Sequence, residues 1–452
     1  MSGLTESLSM AARAMQAQSY GLETAGQNLA NLNTVGYSRR MVQLAEVPPG
    51  QGGGVRIVGA PAQRDALIEA RLRRELPLAG QQAATAEALS VVETTLGASG
   101  AAIDGNLAAF FDAWRALAQE PSSPVSRDNV VQQGQLLARG FNEMATRLVD
   151  SQREADLQLR GAVADINELG RSIASLNASI ARANGADVEA LQDRLGHQLD
   201  QLAELTHVTV LRNSDGTANV AVGSGRALVV GESAYELGLG SAAVTGLATI
   251  TSNGVDVTDE FTSGKVGGYL DVRDRLVSGY QAQLDQLAYD VAREVNTLHQ
   301  SGYTLNGATG QVFFAPIGTV AGAASTFAMD AAVAGDPALL AASQTGAVGN
   351  NGIAEQLAQL RSHRVANGGT STFAESWSQI VYHVGNDAAS AHADQASRES
   401  IVNAVGRLRD SVSGVSLDEE AAAMIKYQRA YEANAKFFAA IGETLDVLLQ
   451  IV

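Results

Sequence analysis

The chain has 452 residues, enough for two to four domains, and its hydrophobic content of 46% excludes wholesale disorder. Its formal net charge of −17, with no basic patch in the sequence, disfavours a general role in binding nucleic acid. It contains no cysteine, which excludes disulfides, thiol chemistry and cysteine-ligated metal sites.

The first predicted element is a heptad helix over residues 1–34. Its two rows of residues spaced by seven are Met1, Leu8, Met15, Leu22 and Leu29, and Leu4, Ala11, Gln18, Ala25 and Leu32. Such rows predict a helix that buries one side against other helices. Glu6 and Arg13 interrupt the apolar character, so the segment is predicted to be neither a signal peptide nor a membrane span. The alternative is an ordinary amphipathic helix on a large core.

Residues 35–206 are predicted to form the first half of a helical core domain. Two short strands come first, over residues 42–47 and 55–59, on either side of a Pro- and Gly-rich loop. Apolar residues then recur every three or four positions, which predicts helices over residues 65–96, 106–119, 126–183 and 187–205. Pro77 is expected to kink the first of these helices.

The periodicity changes from helical to strand-like at His207. Short alternating segments between Gly-rich turns predict strands at residues 208–211, 218–222, 227–230 and 248–252. Residues 207–263 are therefore predicted to form a small inserted β domain. We expect this insertion to lie furthest from the terminal helices, because the helices that flank it belong to the core domain.

Helical patterns return over residues 264–415, the predicted second half of the core domain. The helices predicted there span residues 267–300, 351–361 and 371–411. Residues 302–344 are Gly- and Ala-rich, with strand candidates at residues 311–314 and 325–329. Because helices flank the insertion on both sides, we expect one core domain built from both halves of the chain.

The last predicted element is a second heptad helix, over residues 416–452. Its rows are Leu417, Met424, Tyr431, Phe438, Leu445 and Val452, and Ala421, Gln428, Ala435, Gly442 and Leu449. Ser416 and Glu419 predict a capping box at its start. Since such a helix is marginal alone, we expect it to pair with the N-terminal helix or with neighbouring subunits. We also expect both ends to be disordered or loosely helical in an isolated subunit.

The predicted fold class is mainly α with a small β insertion. It combines terminal heptad helices of coiled-coil type, a helical-bundle core domain built from both halves of the chain, and an inserted β domain. The predicted boundaries are residues 1–34, 35–206, 207–263, 264–415 and 416–452.

No pattern in the sequence indicates catalysis. His383, Asp387 and His392 are close in sequence, but a metal site needs a tighter set with a further ligand. Residues 223–225 lack the lysine and the following helix of a phosphate loop, and no nucleophile elbow is present. We therefore predict no catalytic, cofactor-binding or metal site. A solvated face is predicted for the clustered arginines Arg39, Arg40, Arg71, Arg73 and Arg74.

Two motifs near the ends of the chain carry a resemblance to a known family. Residues 28–40 have the sequence NLANLNTVGYSRR, and residues 413–438 have the sequence SGVSLDEEAAAMIKYQRAYEANAKFF. They resemble the terminal signatures of the bacterial flagellar axial proteins, the family of rod, hook and hook-associated proteins. The family commonly has Pro where this chain has Val35. The motif residues that match are Asn31, Asn33, Thr34, Gly36, Tyr37, Ser38 and Arg39.

Residues 36–39 and 413–420 most resemble the hook-associated proteins of the hook–filament junction. The resemblance implies an extracellular structural component of the flagellum, secreted without a cleaved signal peptide by the flagellar type III export apparatus. It implies no enzymatic activity and no cofactor. The implied partners are the hook protein, a second junction protein (FlgL), other copies of the chain, and an export chaperone (FlgN) on the C-terminal helix. No nucleic acid and no stable membrane insertion are expected.

In this interpretation the two heptad helices form a subunit-packing seam. The seam residues are predicted to be Leu4, Leu8, Met15, Leu22, Leu29, Leu417, Met424, Tyr431, Phe438, Leu445 and Leu449.

Two alternatives remain open at the level of sequence. One is a hook or distal rod protein, although the long helical stretch after residue 65 favours a junction protein. The other is a coiled-coil surface adhesin or binding protein with the β insertion as its ligand module. Such an adhesin is expected to carry a secretion signal, and none is recognised here.

Overall fold

The computed structural model of the chain is mainly helical, with 66% of the chain in helices. It describes residues 2–48, 53–183 and 186–451, without the side chains of residues 2, 98–102, 186 and 448–451. The predicted fold class, mainly α with a small β insertion, is confirmed.

The described helices and strands follow the predicted order. The helices are α1 (Ser2–Ala30), α2 (Ala66–Gln119), α3 (Pro124–Arg182), α4 (Ala186–Leu205), α5 (Gly264–Asp271), α6 (Val277–Gln300), α7 (Ala323–Thr326), α8 (Ala331–Gly335), α9 (Gly352–Gln359), α10 (Phe373–Ser413) and α11 (Leu417–Ile451). The strands are β1 (Gln43–Glu46), β2 (Val55–Gly59), β3 (Val208–Arg212), β4 (Ala218–Val222), β5 (Arg226–Val230), β6 (Ser233–Ala234), β7 (Gly238–Ser241), β8 (Ala248–Ser252) and β9 (Val255–Asp256). A π-helical turn (Val272–Leu276) joins α5 to α6.

The long helix α2 is continuous where two separate helices were predicted. Its glycine-containing middle suggested a break, because glycine weakens a helix interior. Leu96, Ile103 and Leu107 are all buried, and their spacing of seven and four places them on one helical face. Burial of this face in the core therefore outweighs the weak local propensity. Asp65 caps the start of α2 by accepting hydrogen bonds from the backbone amides of residues 67 and 68.

Two buried clusters run along the body of the molecule, which we define as residues 62–413. The first lies around the second half of α2 and is rich in aromatic rings: Phe110 is 5.4 Å from Phe313, and Trp114 is 5.5 Å from the same ring, centroid to centroid. The second lies around the first half of α2, where α3 and α4 pack against the sheets of the insertion. Helices from both halves of the chain contribute to each cluster.

The β insertion consists of two small antiparallel sheets, with strand orders β3-β4-β5-β6 and β7-β8-β9. Asn177 of α3 anchors the first sheet through hydrogen bonds to Ala218 and Gly231. The expectation that the insertion lies furthest from the terminal helices is wrong. Arg212 of β3 forms an ion pair at 3.1 Å with Glu69, in the first turn of α2, so the sheet lies beside the end of the body that adjoins the terminal helices.

The irregular segment after α6 does not contain the two predicted strands. Among the described residues, the two predicted strands are represented by a single β-bridge, between Phe314 and Met329. Asn296 explains the difference, because its side chain accepts from the amides of Phe313 and Phe314 and donates to the carbonyl of Phe314. One side chain thus satisfies the backbone groups that a second strand would otherwise pair.

The terminal helices α1 and α11 pack against each other along their length, and we call them the terminal pair. They run antiparallel, since Asn28 meets Glu420 and Gly21 meets the ring of Tyr427. The hairpin of β1 and β2 lies on α1, where Arg13 donates to the carbonyl of Gly53 at 2.7 Å. In this single chain α1 and α11 are continuous, paired helices, and loose order of the two ends in an isolated subunit stays a prediction.

His299 is a fully buried side chain that closes the irregular segment onto α6. Its Nε2 accepts the amide of Ala341 at 2.9 Å, so the proton lies on Nδ1, which donates to the carbonyl of Gln311 at 2.7 Å. Burial lowers the pKa of His299 from 6.5 to about 4, with a smaller contribution from Arg127, and hydrogen bonding to Gln311 opposes the decrease. The folded protein therefore favours neutral imidazole.

The first prediction concerns acid stability. Because the folded pKa of His299 lies below the unfolded value, its contribution is fully present above pH 6.5 and is lost as the pH falls toward 4. The loss can reach about 3 kcal/mol of unfolding free energy. Chemical denaturation between pH 7 and 4.5 should show a steeper decline for the parent than for His299→Gln, while the exposed control His363→Gln should match the parent. Parallel curves for the parent and His299→Gln would contradict this account.

The second prediction concerns the contact between the terminal helices. A methyl group on Gly21 would lie 2.6 Å from the ring of Tyr427, whereas one on Gly26 would have no neighbour within 4 Å. Gly26→Ala should strengthen α1 through its helix propensity, by about 1 kcal/mol. Gly21→Ala should separate the helices and increase amide hydrogen exchange in α11. Equal exchange in the two variants would show that this close approach does not hold the pair together.

Candidate functional site

The two sequence motifs meet where the terminal pair joins the body. We call this region the joint, and it consists of residues 28–40, 62–64, 189–193 and 413–420. The loop after α1 lies beside the end of α10 and the segment before α2, and the backbone of residue 39 is hydrogen-bonded to both. The amide of Arg39 donates to the carbonyl of Ser413 at 2.8 Å, and its carbonyl accepts the amide of Gln63 at 2.8 Å.

Asn28 is the centre of the joint on the side of the terminal pair, and it is 1% exposed. Its Nδ2 donates to the carbonyl of Arg40 at 2.9 Å and to Glu420 Oε2 at 3.1 Å. Its Oδ1 accepts from the amide of Arg40 at 3.0 Å and from the hydroxyl of Tyr37 at 2.8 Å. One amide group therefore fixes α1, the following loop and α11 relative to each other.

Glu420 brings a buried negative charge to the joint from the first turn of α11. Its side chain is 3% exposed, and its Oε1 lies 2.7 Å from Arg39 Nε. The other end of the Arg39 guanidinium pairs with Glu419. The positive end of the α11 dipole also favours these carboxylates. Since a buried carboxylate is costly unless it is paired and hydrogen-bonded, the N-terminal loop and α11 depend on each other.

Arg40 reaches from the terminal pair into the body. Its guanidinium Nη2 lies 3.9 Å from Asp193 Oδ2 of α4, and its Cζ lies 5.3 Å from the centre of the Tyr37 ring, a cation–π contact. Asp193 Oδ1 accepts from Arg64 Nη2 at 2.8 Å. Arg40 and Asp193 are 9% and 8% exposed, so these charges interact away from solvent.

The prediction of a solvated arginine face is wrong for three of the five side chains. Arg39 and Arg40 are bound within the joint, and Arg73 pairs with Asp200 at 2.8 Å. Charge counting along the sequence missed these pairs because their acidic partners lie more than a hundred residues away. Arg71 and Arg74 are exposed, as predicted.

Tyr37 stays a hydrogen-bond donor because burial raises its pKa above the usual value of 10.0. The nearby charge of Arg40 lowers the pKa, and the carboxylates of Asp193 and Glu420 raise it. The hydroxyl therefore remains protonated at neutral pH and donates to Asn28.

The remaining motif residues shape the loop. Gly36 has a positive φ of 80°, and a Cβ on it would lie 3.1 Å from His197 Cβ, so both its conformation and its contact favour glycine. Ser38 is buried in the joint, whereas Asn33, Thr34 and Val35 are exposed at the tip of the loop. Asn31 lies at the end of α1 and donates to the carbonyl of residue 27.

A cleft of about 450 Å³ lies beside the joint, between the loop and the body. Paired charges line it, including Arg64, Asp193 and Asp200. Burial raises the pKa of Asp200, and the charges of Arg73 and Arg409 oppose the increase. These ion pairs hold the loop, α2 and α4 together along the cleft wall.

No group of three His, Cys, Asp or Glu residues that could hold a metal was found among the described residues. Of the three residues considered above as metal ligands, Asp387 accepts a hydrogen bond from the hydroxyl of Tyr280 at 2.7 Å. The other two, His383 and His392, are exposed. Residues 223–225 form the turn between β4 and β5. Across the described part of the chain, no helix has the length and apolar character needed to cross a membrane.

The predicted seam residues divide into two groups in the single chain. Leu22, Leu417 and Tyr431 are exposed. The side chain of Leu449 lies outside the described residues, as do Met1 and Val452. The half-buried ones are Leu4, Leu8, Met15, Leu29, Met424, Phe438 and Leu445.

The row of α11 that faces α1 is rotated by one residue from the second predicted row. Ala421 and Gln428 are exposed, whereas Glu420 and Tyr427 contact α1, and Asn434 and Ile441 follow them at heptad spacing. The spacing of apolar residues did not predict this row, because two of its four members are polar. Glu420 is buried because it pairs with Arg39 and Asn28. A polar residue at heptad spacing beside an apolar stripe is the signal that could have found it.

Three known protein families match parts of the chain. Residues 89–314 match the family described as "Flagellar hook-associated protein FlgK helical domain". Near the ends, residues 8–37 match "Flagella basal body rod protein", and residues 406–451 match "Flagellar basal body rod FlgEFG protein C-terminal".

Similar proteins match over almost the whole chain. The "Flagellar hook-associated protein 1" of Escherichia coli (strain K12) is 24% identical over 535 residues, covering 97% of this chain and 98% of its own. The protein of the same name from Bacillus subtilis (strain 168) is 27% identical over 492 residues, covering 98% and 97%. The solved structure of the flagellar hook junction protein FlgK from Burkholderia pseudomallei has the same fold, with a TM-score of 0.68 at 16% identity, covering 76% of this chain and 100% of that chain.

The third prediction concerns Asn28. Asn28→Ala removes four hydrogen bonds and leaves the buried carboxylate of Glu420 with one partner fewer. The amide of Arg40 should lose protection against hydrogen exchange by about 10- to 100-fold, since leaving a buried polar group unsatisfied costs about 1–3 kcal/mol. Asn33→Ala, an exposed change in the same loop, should leave this amide protected. Unchanged exchange at Arg40 in both variants would show that Asn28 does not organise the joint.

Proposed function

Because the chain belongs to the FlgK family of flagellar hook-associated proteins, which are structural components of the flagellum, we propose that it forms the junction between hook and filament. The observation that carries this proposal is the terminal pair, a helical surface only partly covered within one chain. The structurally similar protein from Burkholderia pseudomallei is also named a flagellar hook junction protein.

Exposed apolar side chains lie on several sides of α11, while α1 covers only one side. The exposed large side chains of α11 are Leu417, Ile425, Tyr431, Phe437 and Val447, which are 43–55% exposed. At 100° per residue they are distributed over more than half of the circumference. A single partner on one side cannot cover apolar side chains that are spread this widely around a helix. We therefore propose that several neighbours contact α11.

The body adds apolar surface close to the joint. Ile401, Leu408 and Val412 are exposed on α10, at spacings of seven and four that place them on one face. The tip of the joint loop adds Val35, which is 76% exposed. We propose that these residues and the predicted seam contact neighbouring molecules: other copies of the chain, the hook protein and the second junction protein FlgL. Burying each large side chain contributes about 1.5–3 kcal/mol.

We propose a division of the chain that follows from this role. Residues 1–34 and 416–452 form the packing unit, residues 35–206 and 264–415 form the two halves of the core domain, and residues 207–263 form the insertion. The described elements support it, since α1 and α11 contact each other and the body is built by helices from both halves of the chain.

The route to the site of assembly is also a proposal. We infer export through the flagellar type III apparatus to an extracellular position, with the chaperone FlgN covering α11 before export. The support is the apolar surface of α11, which suits binding of an amphipathic helix in a groove. A chain without cysteine also folds without oxidation. We further propose that the protein acts without catalysis, as the paired charges of the joint indicate.

Neither sequence-level alternative is retained. A hook or distal rod protein shares the terminal motifs, but the FlgK-type helical domain over residues 89–314 favours a junction protein. A surface adhesin would need a ligand site on the insertion, and the strands there are anchored to α3 by structural contacts such as that of Asn177.

The fourth prediction tests the packing surface. The double variant Ile425→Ser with Phe437→Ser should bind at least about 100-fold more weakly to purified hooks that lack junction proteins, because two large apolar side chains no longer become buried. Both side chains are about half exposed in the single chain, so circular dichroism should show unchanged helix content. The matched control, Lys426→Ser with Lys436→Ser, changes the adjacent exposed positions and should bind like the parent. Equal binding by the apolar variant and the parent would refute this use of α11.

A further inference from the structure

Asn253 and Gly254 form the two-residue turn between β8 and β9, at the surface of the insertion. Both have a positive φ, 50° for Asn253 and 79° for Gly254, as tight hairpin turns of this length require. The turn is held on both sides, because Ser252 of β8 is paired with Val255 of β9. Residues 237–255 around it contain no charged side chain, although the whole chain has a net charge of −17.

An asparagine followed by glycine contains both groups that deamidation needs. The glycine nitrogen attacks the side-chain carbonyl carbon of the asparagine, and a new bond between nitrogen and carbon forms. The side-chain nitrogen leaves as ammonia, with the proton of the attacking nitrogen passed through water. Water then opens the cyclic imide, which gives aspartate or isoaspartate. Glycine suits this step because it has no Cβ beside the attacking nitrogen. Hydrogen bonds that hold the side-chain amide or the glycine N–H oppose it.

Four Asn-Gly sequences lie in the described part of the chain, and hydrogen bonds restrain three of them. In the first of these three, the amide of Gly307, which follows Asn306, donates to the carbonyl of Thr304 at 3.1 Å. In the second, Asn351 Nδ2 donates to the carbonyl of Ala118 at 2.7 Å. Each site would have to break a hydrogen bond before the glycine nitrogen could attack.

The third restrained site, Asn367, is the closest comparison to Asn253. Both asparagines are exposed and have a φ of 50°, and the glycine after Asn367, Gly368, has a φ of 70°. However, Asn367 Nδ2 donates to the hydroxyls of Ser371 at 3.2 Å and Ser376 at 2.8 Å. Since the φ angles of the two sites nearly match, the hydrogen bonds of the side-chain amide distinguish them.

Asn253 is the unrestrained site. Within residues 2–48, 53–183 and 186–451, no hydrogen bond is made by its side-chain amide or by the N–H of Gly254. We propose that Asn253 is a deamidation site, at which the Gly254 nitrogen displaces the side-chain nitrogen as ammonia. The product places a carboxylate in a stretch that has no other charge, three residues before Asp256. Isoaspartate also lengthens the backbone of a turn that has only two residues.

The consequence for the assembled protein rests on the proposed function. A structural component outside the cell is not replaced in place by new synthesis, so the modified form accumulates with the age of the structure. The added charge makes this face of the insertion repel an acidic neighbour, such as another copy of the chain.

The test uses the full chain alone, so its outcome is independent of the junction proposal. The protein is kept in mildly alkaline buffer, and peptide mass spectrometry follows the replacement of the amide NH₂ by OH at all four sites. Asn253 should convert at least about tenfold faster than Asn367, because the hydrogen bonds of Asn367 must break first. In concentrated urea the two sites should convert at similar rates. Conversion at Asn253 that is no faster than at Asn367 in the folded chain overturns the proposal.

Two variants separate the chemistry from the stability of the hairpin. Gly254→Ala should slow conversion of Asn253 at least about tenfold, because a Cβ then lies beside the attacking nitrogen. The matched control is Gly246→Ala, at a glycine with a φ of 71° and no neighbour within 4 Å, and it should leave the rate unchanged. Ser376→Ala removes one acceptor of Asn367 and should speed conversion there. An unchanged rate in Gly254→Ala or in Ser376→Ala would contradict this account.

Discussion

The hydrogen-bonded pairing of Asn28 with Glu420 is the interaction on which the arrangement of the chain ends depends. It joins residues 392 positions apart in sequence, and both side chains are almost completely buried. A carboxylate in that position is tolerated only because Arg39 and Asn28 together satisfy it. The first and last helices are therefore held in one antiparallel register by a polar contact, since their apolar residues alone would allow several registers.

Once this register is fixed, the shape of the apolar surface follows. Gly21 allows the ring of Tyr427 to approach α1 closely, and the two helices cover each other along one side only. The uncovered part of α11 carries exposed apolar side chains among its charged ones: Leu417, Ile425, Tyr431, Phe437 and Val447. Apolar side chains exposed to water raise the free energy of the chain, and burial against neighbouring molecules lowers it. The polar contact at the joint thus determines which apolar residues the terminal pair leaves uncovered.

The sequence predicted the elements far better than it predicted the site. Heptad spacing identified both terminal helices, and alternation in Gly-rich segments located the β insertion, because each pattern depends on local periodicity. The joint depends on contacts between distant residues, and a buried Glu420 or a buried Asn28 looks like a surface residue when only its own helix is considered. For the same reason the arginines of the joint were assigned to solvent, and α2 was divided at glycines that the distant aromatic core overrides.

The ends of the chain and its middle match different protein families. Residues 8–37 and 406–451 match families of rod proteins, while residues 89–314 match a helical domain of the FlgK type. In the proposed assembly, α1 and α11 are constrained on one side by their register with each other. On their other sides they are constrained by neighbouring molecules. The body is constrained mainly by its own core, and many combinations of apolar residues fill a core equally well. The joint connects the terminal helices to the body. Its charges therefore come from the loop, from α4 and from α11.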